Sequence, residues 1–223
     1  LFGILDTADQ LSLIKRMYKA HNLDDDRFPP KQLGWFIASA KDAGLRPSAV
    51  EAGDEFARRQ VEHYALYEAM CQREGVVDFA ELLLRSYELL AGNEPIRKHY
   101  QRRFSHLLVD EFQDTNVLQY RWLQMLAGTD AAVFAVGDDD QSIYAFRGAN
   151  AANMQHFERD FGSPTRPVRL IKLEQNYRSH GNILDAANAL IGNNQNRLGK
   201  NLWTAETDGE KLRIYEAGTD LEE

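Results

Sequence analysis

Cysteine is nearly absent from this chain: Cys71 is the only one in 223 residues. A single thiol excludes an internal disulfide and any zinc site built from several cysteines. It also suits a reducing compartment, so a cytoplasmic setting is expected. Long apolar runs are missing too. No stretch approaches the ~20 consecutive apolar residues of a membrane-spanning helix, and no signal-peptide pattern opens the chain, so no membrane partner is expected. Positive charge is in deficit, with 26 Lys and Arg against 34 Asp and Glu and a formal net charge of −8. The surplus is uneven: 15 against 16 in residues 1–104, but 11 against 18 in residues 105–223. This excludes a protein coated in positive potential, though not one that grips nucleic acid along a local stripe. A last absence concerns chemistry. A phosphate-cradling P-loop needs Gly-Lys-Ser or Gly-Lys-Thr, and the one Gly-Lys pair here, Gly199-Lys200, is followed by Asn201.

What is present is ordinary for a globular protein: 43% hydrophobic and 27% charged residues, in a length that fits one large domain or two small ones. The first hundred residues read as helices. Leu11, Ile14, Met17 and Tyr18 share one face of a helix with Thr7 as its N-cap. Pro29 and Pro30 then break the chain before Leu33, Trp35, Phe36 and Ile37 lead to a stop at Gly44. A third amphipathic stretch carries Phe56, Val61, Tyr64 and Tyr67, and a fourth starts at Asp78 as cap and closes at Gly92. No strand is expected there. From Ser105 the pattern alternates: the short apolar runs "SHLLVD", "AAVFAVGD", "RPVRLIKLEQ" and "KLRIYEA" are separated by helical stretches. That alternation is the signature of an α/β fold with a buried parallel sheet.

Three of these strand ends carry chemistry. "LLVDEFQDTN" aims Asp110 and Glu111 out of the carboxyl end of a strand, where functional groups of such sheets gather. An Asp there can hold a nucleotide-bound Mg²⁺, and an adjacent Glu can orient or deprotonate an attacking water. Taken alone, the pair could equally cap the next helix. "VGDDDQSIYAFRGAN" offers Gly137 for a tight turn, Gln141 as a neutral amide for a γ-phosphate, and Tyr144 and Phe146 beside Arg147. Aromatics next to a basic residue suit stacking on unpaired bases, at ~1–3 kcal/mol per base, but core packing would also use them. Asp138, Asp139 and Asp140 form an acidic run that lacks the alternating spacing and terminal Glu of a calcium loop. In "LEQNYRS", Tyr177 could stack on a purine and Arg178 could reach phosphate oxygens, or Arg178 could simply pair with Glu174.

In this order the three blocks resemble motifs II, III and IV of the UvrD/Rep/PcrA helicases of superfamily 1. "PPKQLGWFIASAKDAGLRP", "VDFAELLLRSYELL" and "NRLGKNLWT" are similar to the UvrD branch, so the resemblance covers essentially the whole chain. It implies a partial RecA-like parallel-sheet P-loop NTPase core with a large N-terminal all-helical insertion domain. Residues 1–104 would be the helical insertion (1B-like), 105–172 the later part of motor domain 1A, and 173–223 the start of motor domain 2A. It implies an ATP-dependent 3′–5′ helicase that uses ATP and Mg²⁺, moves on single-stranded DNA, opens duplex junctions, and works with DNA-repair proteins in excision and mismatch repair.

Carried over residue by residue, the resemblance makes Asp110 the Mg²⁺ ligand and Glu111 the catalytic base. Gln141 becomes the γ-phosphate sensor, and Tyr144 and Phe146 part of the single-strand track. Phe146 stands where relatives usually carry Trp. Arg147 would couple that track to the ATP site, Tyr177 would stack on adenine, and Arg178 would reach the γ-phosphate. Gln113 and Asp114 would organise the loop, and the basic "RKHYQRRFSH" would contact phosphates or remain a solvated helix end. In the family the P-loop precedes the helical insertion, and Leu1 and Glu223 both read as cut ends. The chain alone is therefore expected neither to hydrolyse ATP nor to unwind DNA, and to self-associate through an uncovered sheet edge. The rival expectation is a non-catalytic module that holds DNA or a repair partner.

Overall fold

Asp6 starts the first long helix: its Oδ1 accepts the Asp9 N–H at 2.8 Å, which caps α1 (Thr7–His21) one residue earlier than Thr7 itself would. The computed structural model describes residues 2–144, 148–150, 152–194 and 197–219. They form two units, Leu1–Gly162 and Ser163–Glu223, taken in turn. In the first, Leu13, Ile14, Met17 and Tyr18 of α1 pack with Leu33, Ile37 and Ala40 of α2 (Pro30–Asp42) and with Tyr64, Tyr67, Met70 and Cys71 of α3 (Glu55–Glu74). Helix spacing puts these side chains on single faces, and their burial makes the main core. Burial also pushes the Cys71 thiol up to about 11, which leaves it protonated and unreactive at neutral pH.

The reading of residues 1–104 as all-helical is corrected by a two-stranded parallel sheet. β1 (Gly3–Leu5) pairs with β2 (Val76–Asp78), with Gly3 opposite Val76 and Leu5 opposite Asp78. Each strand has three residues, too few for alternation to stand out from the helices on either side. Asp78 then caps α4 (Phe79–Gly92), as expected, by accepting the Glu81 N–H at 2.8 Å. The other oxygen of Asp78 meets Lys41 Nζ at 2.7 Å and the Tyr67 hydroxyl at 2.8 Å. Lys41 also reaches Glu81 Oε2 at 2.8 Å, and Arg46 and Arg85 close the same network on Glu81. Burial and the Asp78 charge push the Tyr67 hydroxyl far above its ordinary value, so it acts here as a donor.

After α5 (Glu94–Arg103) the chain enters β3 (His106–Val109), α6 (Val117–Ala127), β4 (Ala132–Ala135) and α7 (Ala152–Phe161). β3 and β4 run parallel, from His106 opposite Ala132 to Val109 opposite Ala135. Leu107, Val109, Val133 and Ala135 face a second core of Phe112, Tyr120, Leu123, Met154, Phe157 and Phe161. Asn116 and Gln119 exchange side-chain-to-backbone hydrogen bonds in a capping box that starts α6. The expectation of strands buried on both faces fails here. Leu108 and Phe134, opposite one another in the ladder, are 78% and 57% exposed.

In the second unit, α8 (Gly181–Ile191) buries Leu184. The strands expected from "RPVRLIKLEQ" and "KLRIYEA" form no ladder among the described residues; one isolated parallel bridge joins Gln175 to Trp203. A strand needs a neighbour for its backbone groups, and the apolar Leu170, Ile171, Leu173, Leu212 and Ile214 lie exposed. The described residues are thus α/β in kind, a mixture of helices with two small parallel sheets.

Candidate functional site

The carboxyl end of β3 delivers Asp110 and Glu111 at a sharp turn. Glu111 has φ 49° and ψ 43°, a left-handed conformation that a non-glycine residue adopts at a cost of roughly 1–2 kcal/mol. Local bonds hold it there. Asp110 Oδ1 accepts the Glu111 N–H at 2.9 Å, and the Phe112 N–H continues the β3–β4 ladder onto the Val136 carbonyl at 2.9 Å. Phe112 anchors the turn from below, buried against Phe157 at a 5.3 Å ring separation and Tyr120 at 6.0 Å. Thr115 bonds back to the Phe112 carbonyl, and Asn153 of α7 clasps Thr115 in turn. The two acids therefore stand on a rigid base, with Asp110 and Glu111 both exposed.

The carboxyl end of β4 lies beside them. Asp138 caps a short 3₁₀ turn, Asp139–Gln141, accepting the Asp140 N–H at Oδ1 (3.0 Å) and Gln141 Nε2 at Oδ2 (2.7 Å). The three aspartates do gather, with carboxylate oxygens within 4.8 Å of one another. The Asp138 carboxylate is taken up by this cap at both of its oxygens. Between the two strand ends sits Gln113, which donates to Glu111 Oε2 at 2.9 Å and accepts the Asp138 N–H at 3.0 Å. Glu111, Gln113, Asp138 and Gln141 thus form one chain of hydrogen bonds. Asp114, the other residue given to the loop, has Oδ1 buried with no hydrogen-bond partner among the described residues.

Tyr144 follows Gln141 and is half-buried. Phe146 and Arg147 lie outside the described residues. In the second unit, Tyr177 is 83% exposed, its hydroxyl donating to Gln175 Oε1 at 2.8 Å. Asn176 Oδ1 accepts the N–H groups of both Arg178 and Ser179, at 2.9 and 2.8 Å, and so shapes the turn that presents Arg178 at the surface. The alternative pairing of Arg178 with Glu174 is not formed among the described residues; Glu174 Oε1 accepts the Asn201 N–H at 3.0 Å instead. That Gln113 spans both strand ends is not legible in the sequence, because its second partner is 25 residues away. An amide two positions after the acid pair is the one available hint.

The model described as the UvrD/REP helicase N-terminal domain matches residues 1–162, and that described as the UvrD-like helicase C-terminal domain matches residues 171–223. The chain is similar to DNA helicase II of Haemophilus influenzae, at 53% identity over 223 residues, and to DNA helicase II of Escherichia coli, at 52% over 224. It is also similar to the ATP-dependent DNA helicase PcrA of Staphylococcus aureus, at 38% over 224 residues. Each alignment covers 100% of this chain and 30% of the relative, so the chain spans about three tenths of their length.

Proposed function

The chain belongs to the UvrD/Rep helicase family, and from that premise we propose that it carries the hydrolytic acid pair of an ATP-driven DNA helicase. The motor moves 3′ to 5′ on single-stranded DNA and opens duplex junctions during excision and mismatch repair. The observation that carries this reading is the pair Asp110–Glu111, fixed at the carboxyl end of a parallel strand and exposed. Among the described residues only one oxygen of Asp110 is engaged, accepting the Glu111 N–H. A free, hard carboxylate oxygen fits Mg²⁺, and Asp110 is the residue that would hold it. The ion, when bound, neutralises charge on the β- and γ-phosphate oxygens.

The chain's own residues supply the rest. Glu111 takes the proton of the attacking water, and its left-handed backbone lifts the carboxylate clear of the strand. Gln141 contacts the γ-phosphate with its side-chain amide, whose Nε2 donates to Asp138 Oδ2 and is aimed by that bond. Tyr144, Phe146 and Arg147 follow directly, so the loop that senses nucleotide also meets single-stranded DNA. Tyr177 stacks on adenine, its face left open by the hydroxyl's tether to Gln175. Arg178 adds a fixed positive charge to the γ-phosphate oxygens.

A strand-separation assay tests the reading. The full-length gene product is expected to open a duplex with a 3′ single-stranded tail and to leave one with a 5′ tail intact. The 223-residue chain alone is expected to open neither and to show no ATPase above background, because it contains no Gly-Lys-Ser/Thr to position the triphosphate. Opening of the 5′-tailed duplex alone would overturn the polarity, and robust turnover by the isolated chain would overturn the dependence on a P-loop. The second reading, a non-catalytic module, would bind single-stranded DNA with no turnover even at full length. On its own the chain is expected to self-associate through an uncovered edge of the two-stranded β3–β4 sheet, beside which Leu108 and Phe134 lie exposed. A monomeric mass by light scattering across a hundredfold rise in concentration would rule this out.

A further inference from the structure

Glu111 and Gln141 sit at the ends of two different strands, and one buried side chain joins them. Gln113 is 2% exposed. Its Nε2 donates to Glu111 Oε2 at 2.9 Å and its Oε1 accepts the Asp138 N–H at 3.0 Å. Only this orientation satisfies both partners, since the reverse would set oxygen against a carboxylate and an NH₂ against a backbone N–H. The amide therefore cannot turn without losing two bonds at a buried site, where each unmade bond costs most. Gly137 closes the other side. A Cβ there would stand 2.8 Å from Gln113 Oε1, so only glycine lets the amide seat between the strands. Asp138, whose N–H the amide holds, accepts Gln141 Nε2 at 2.7 Å through its own side chain. The remaining Glu111 oxygen, Oε1, has no partner among the described residues and stays available to a water.

Resting on the reading of Glu111 and Gln141 above, we propose that Gln113 is a positioning residue that ties the aim of the Glu111 carboxylate to the Asp138–Gln141 turn. It touches neither nucleotide nor DNA. When the turn shifts, as it does if Gln141 or the segment leading to Tyr144 moves, the Asp138 N–H moves with it. Gln113 must then follow or break a bond, and either event re-aims Glu111. The structure thus contains a short mechanical path by which occupancy of the single-strand track sets the readiness of the base.

The test uses the full-length gene product, with ATPase kinetics measured with and without single-stranded DNA. Gln113→Met keeps the volume and removes both bonds; Gln113→Glu keeps the acceptor for Asp138 and loses the donor to Glu111. Gly137→Ala displaces the amide without altering it. Gln113→Met is expected to lower DNA-stimulated kcat at least tenfold with KM for ATP within twofold, and to cut the ratio of DNA-stimulated to DNA-free turnover at least fivefold. Gln113→Glu and Gly137→Ala are expected to change that ratio in the same direction. A purely structural role would lower the melting temperature and leave the ratio alone. Should Gln113→Met fail to fold, the other two variants decide. A ratio and kcat within twofold of wild type in the folded variants, or an effect confined to KM, would overturn the proposal. Glu111→Gln is run alongside: if it turns over at the wild-type rate, the reading of Glu111 falls and the relay with it. If it is inactive while Gln113→Met is unimpaired, the relay alone falls.

Discussion

Glu111→Gln in the full-length gene product is expected to cut DNA-stimulated ATP turnover by at least ~100-fold while leaving the affinity for ATP within about twofold. The size follows from the worth of a positioned general base, typically about 10²–10⁴ in rate. The selectivity follows from geometry. Glutamine is nearly isosteric, tolerates the same left-handed backbone as well as glutamate does, and can still accept the Gln113 donor through its amide oxygen. It cannot take a proton from water. Phe112 and Thr115 keep the turn in place regardless of the side chain at position 111. A loss of kcat without a rise in KM marks an interaction made only in the transition state. Rapid-quench measurement of a single turnover places the loss in the chemical step. Turnover within tenfold of wild type would remove Glu111 from the role of base.

Much of this frame was legible in the sequence, for reasons specific to each segment. The helices of the first unit announce themselves through caps and 3.6-residue spacing: Asp78 caps α4, and Ile14, Met17 and Tyr18 lie on the buried face of α1 as expected, though its fourth buried residue is Leu13 and not Leu11, which is only half-buried. β3 and β4 are bounded by polar turns and short enough to exclude helices. β1 and β2 left no such trace, since their pairing joins Gly3 to Val76 and depends on tertiary contact alone. The segment from Arg166 to Gln175 has the composition of a strand, yet composition does not supply a neighbour to bond with: among the described residues Arg166 bridges back to Ser163 and Gln175 bridges to Trp203, with no ladder between them. At the site, the acid pair could be read from its place at a strand end. Its tie to Gln141 could not, because the tie runs through one amide that reaches across two strands.

The largest effect expected on stability lies away from that site, at Lys41. Its side chain is 2% exposed, and the ammonium sits between Asp78 Oδ2 and Glu81 Oε2 at 2.7 and 2.8 Å. Lys41→Met fills the same space but leaves two buried carboxylates without their shared cation. Removing one partner of a buried pair costs about 3–5 kcal/mol. Here Arg46 and Arg85 remain on Glu81, and Tyr67 remains on Asp78, which places the expected loss near 3 kcal/mol, at the low end of that range. The pH dependence separates this from a packing defect. Burial pushes the Glu81 carboxyl up, but its bonds to Lys41 and Arg85 and the nearby charges of Lys41 and Arg46 prevail, holding it below the ordinary glutamate value of 4.5. A depressed carboxyl favours the folded state at neutral pH, and that contribution is lost as pH falls below about 4.5 through the folded value. Without Lys41 the burial effect meets less opposition, and Glu81 titrates at a higher pH than in the wild type. Urea unfolding followed by far-UV circular dichroism is therefore expected to show a gap between wild type and Lys41→Met that is widest at pH 7 and narrows as Glu81 takes up its proton. Adding Glu81→Gln to Lys41→Met should recover part of the loss at pH 7, because it removes one of the stranded charges. A gap that stays constant from pH 7 to pH 4, with no recovery in the double variant, would show that Lys41 matters here for its methylenes and not for its charge.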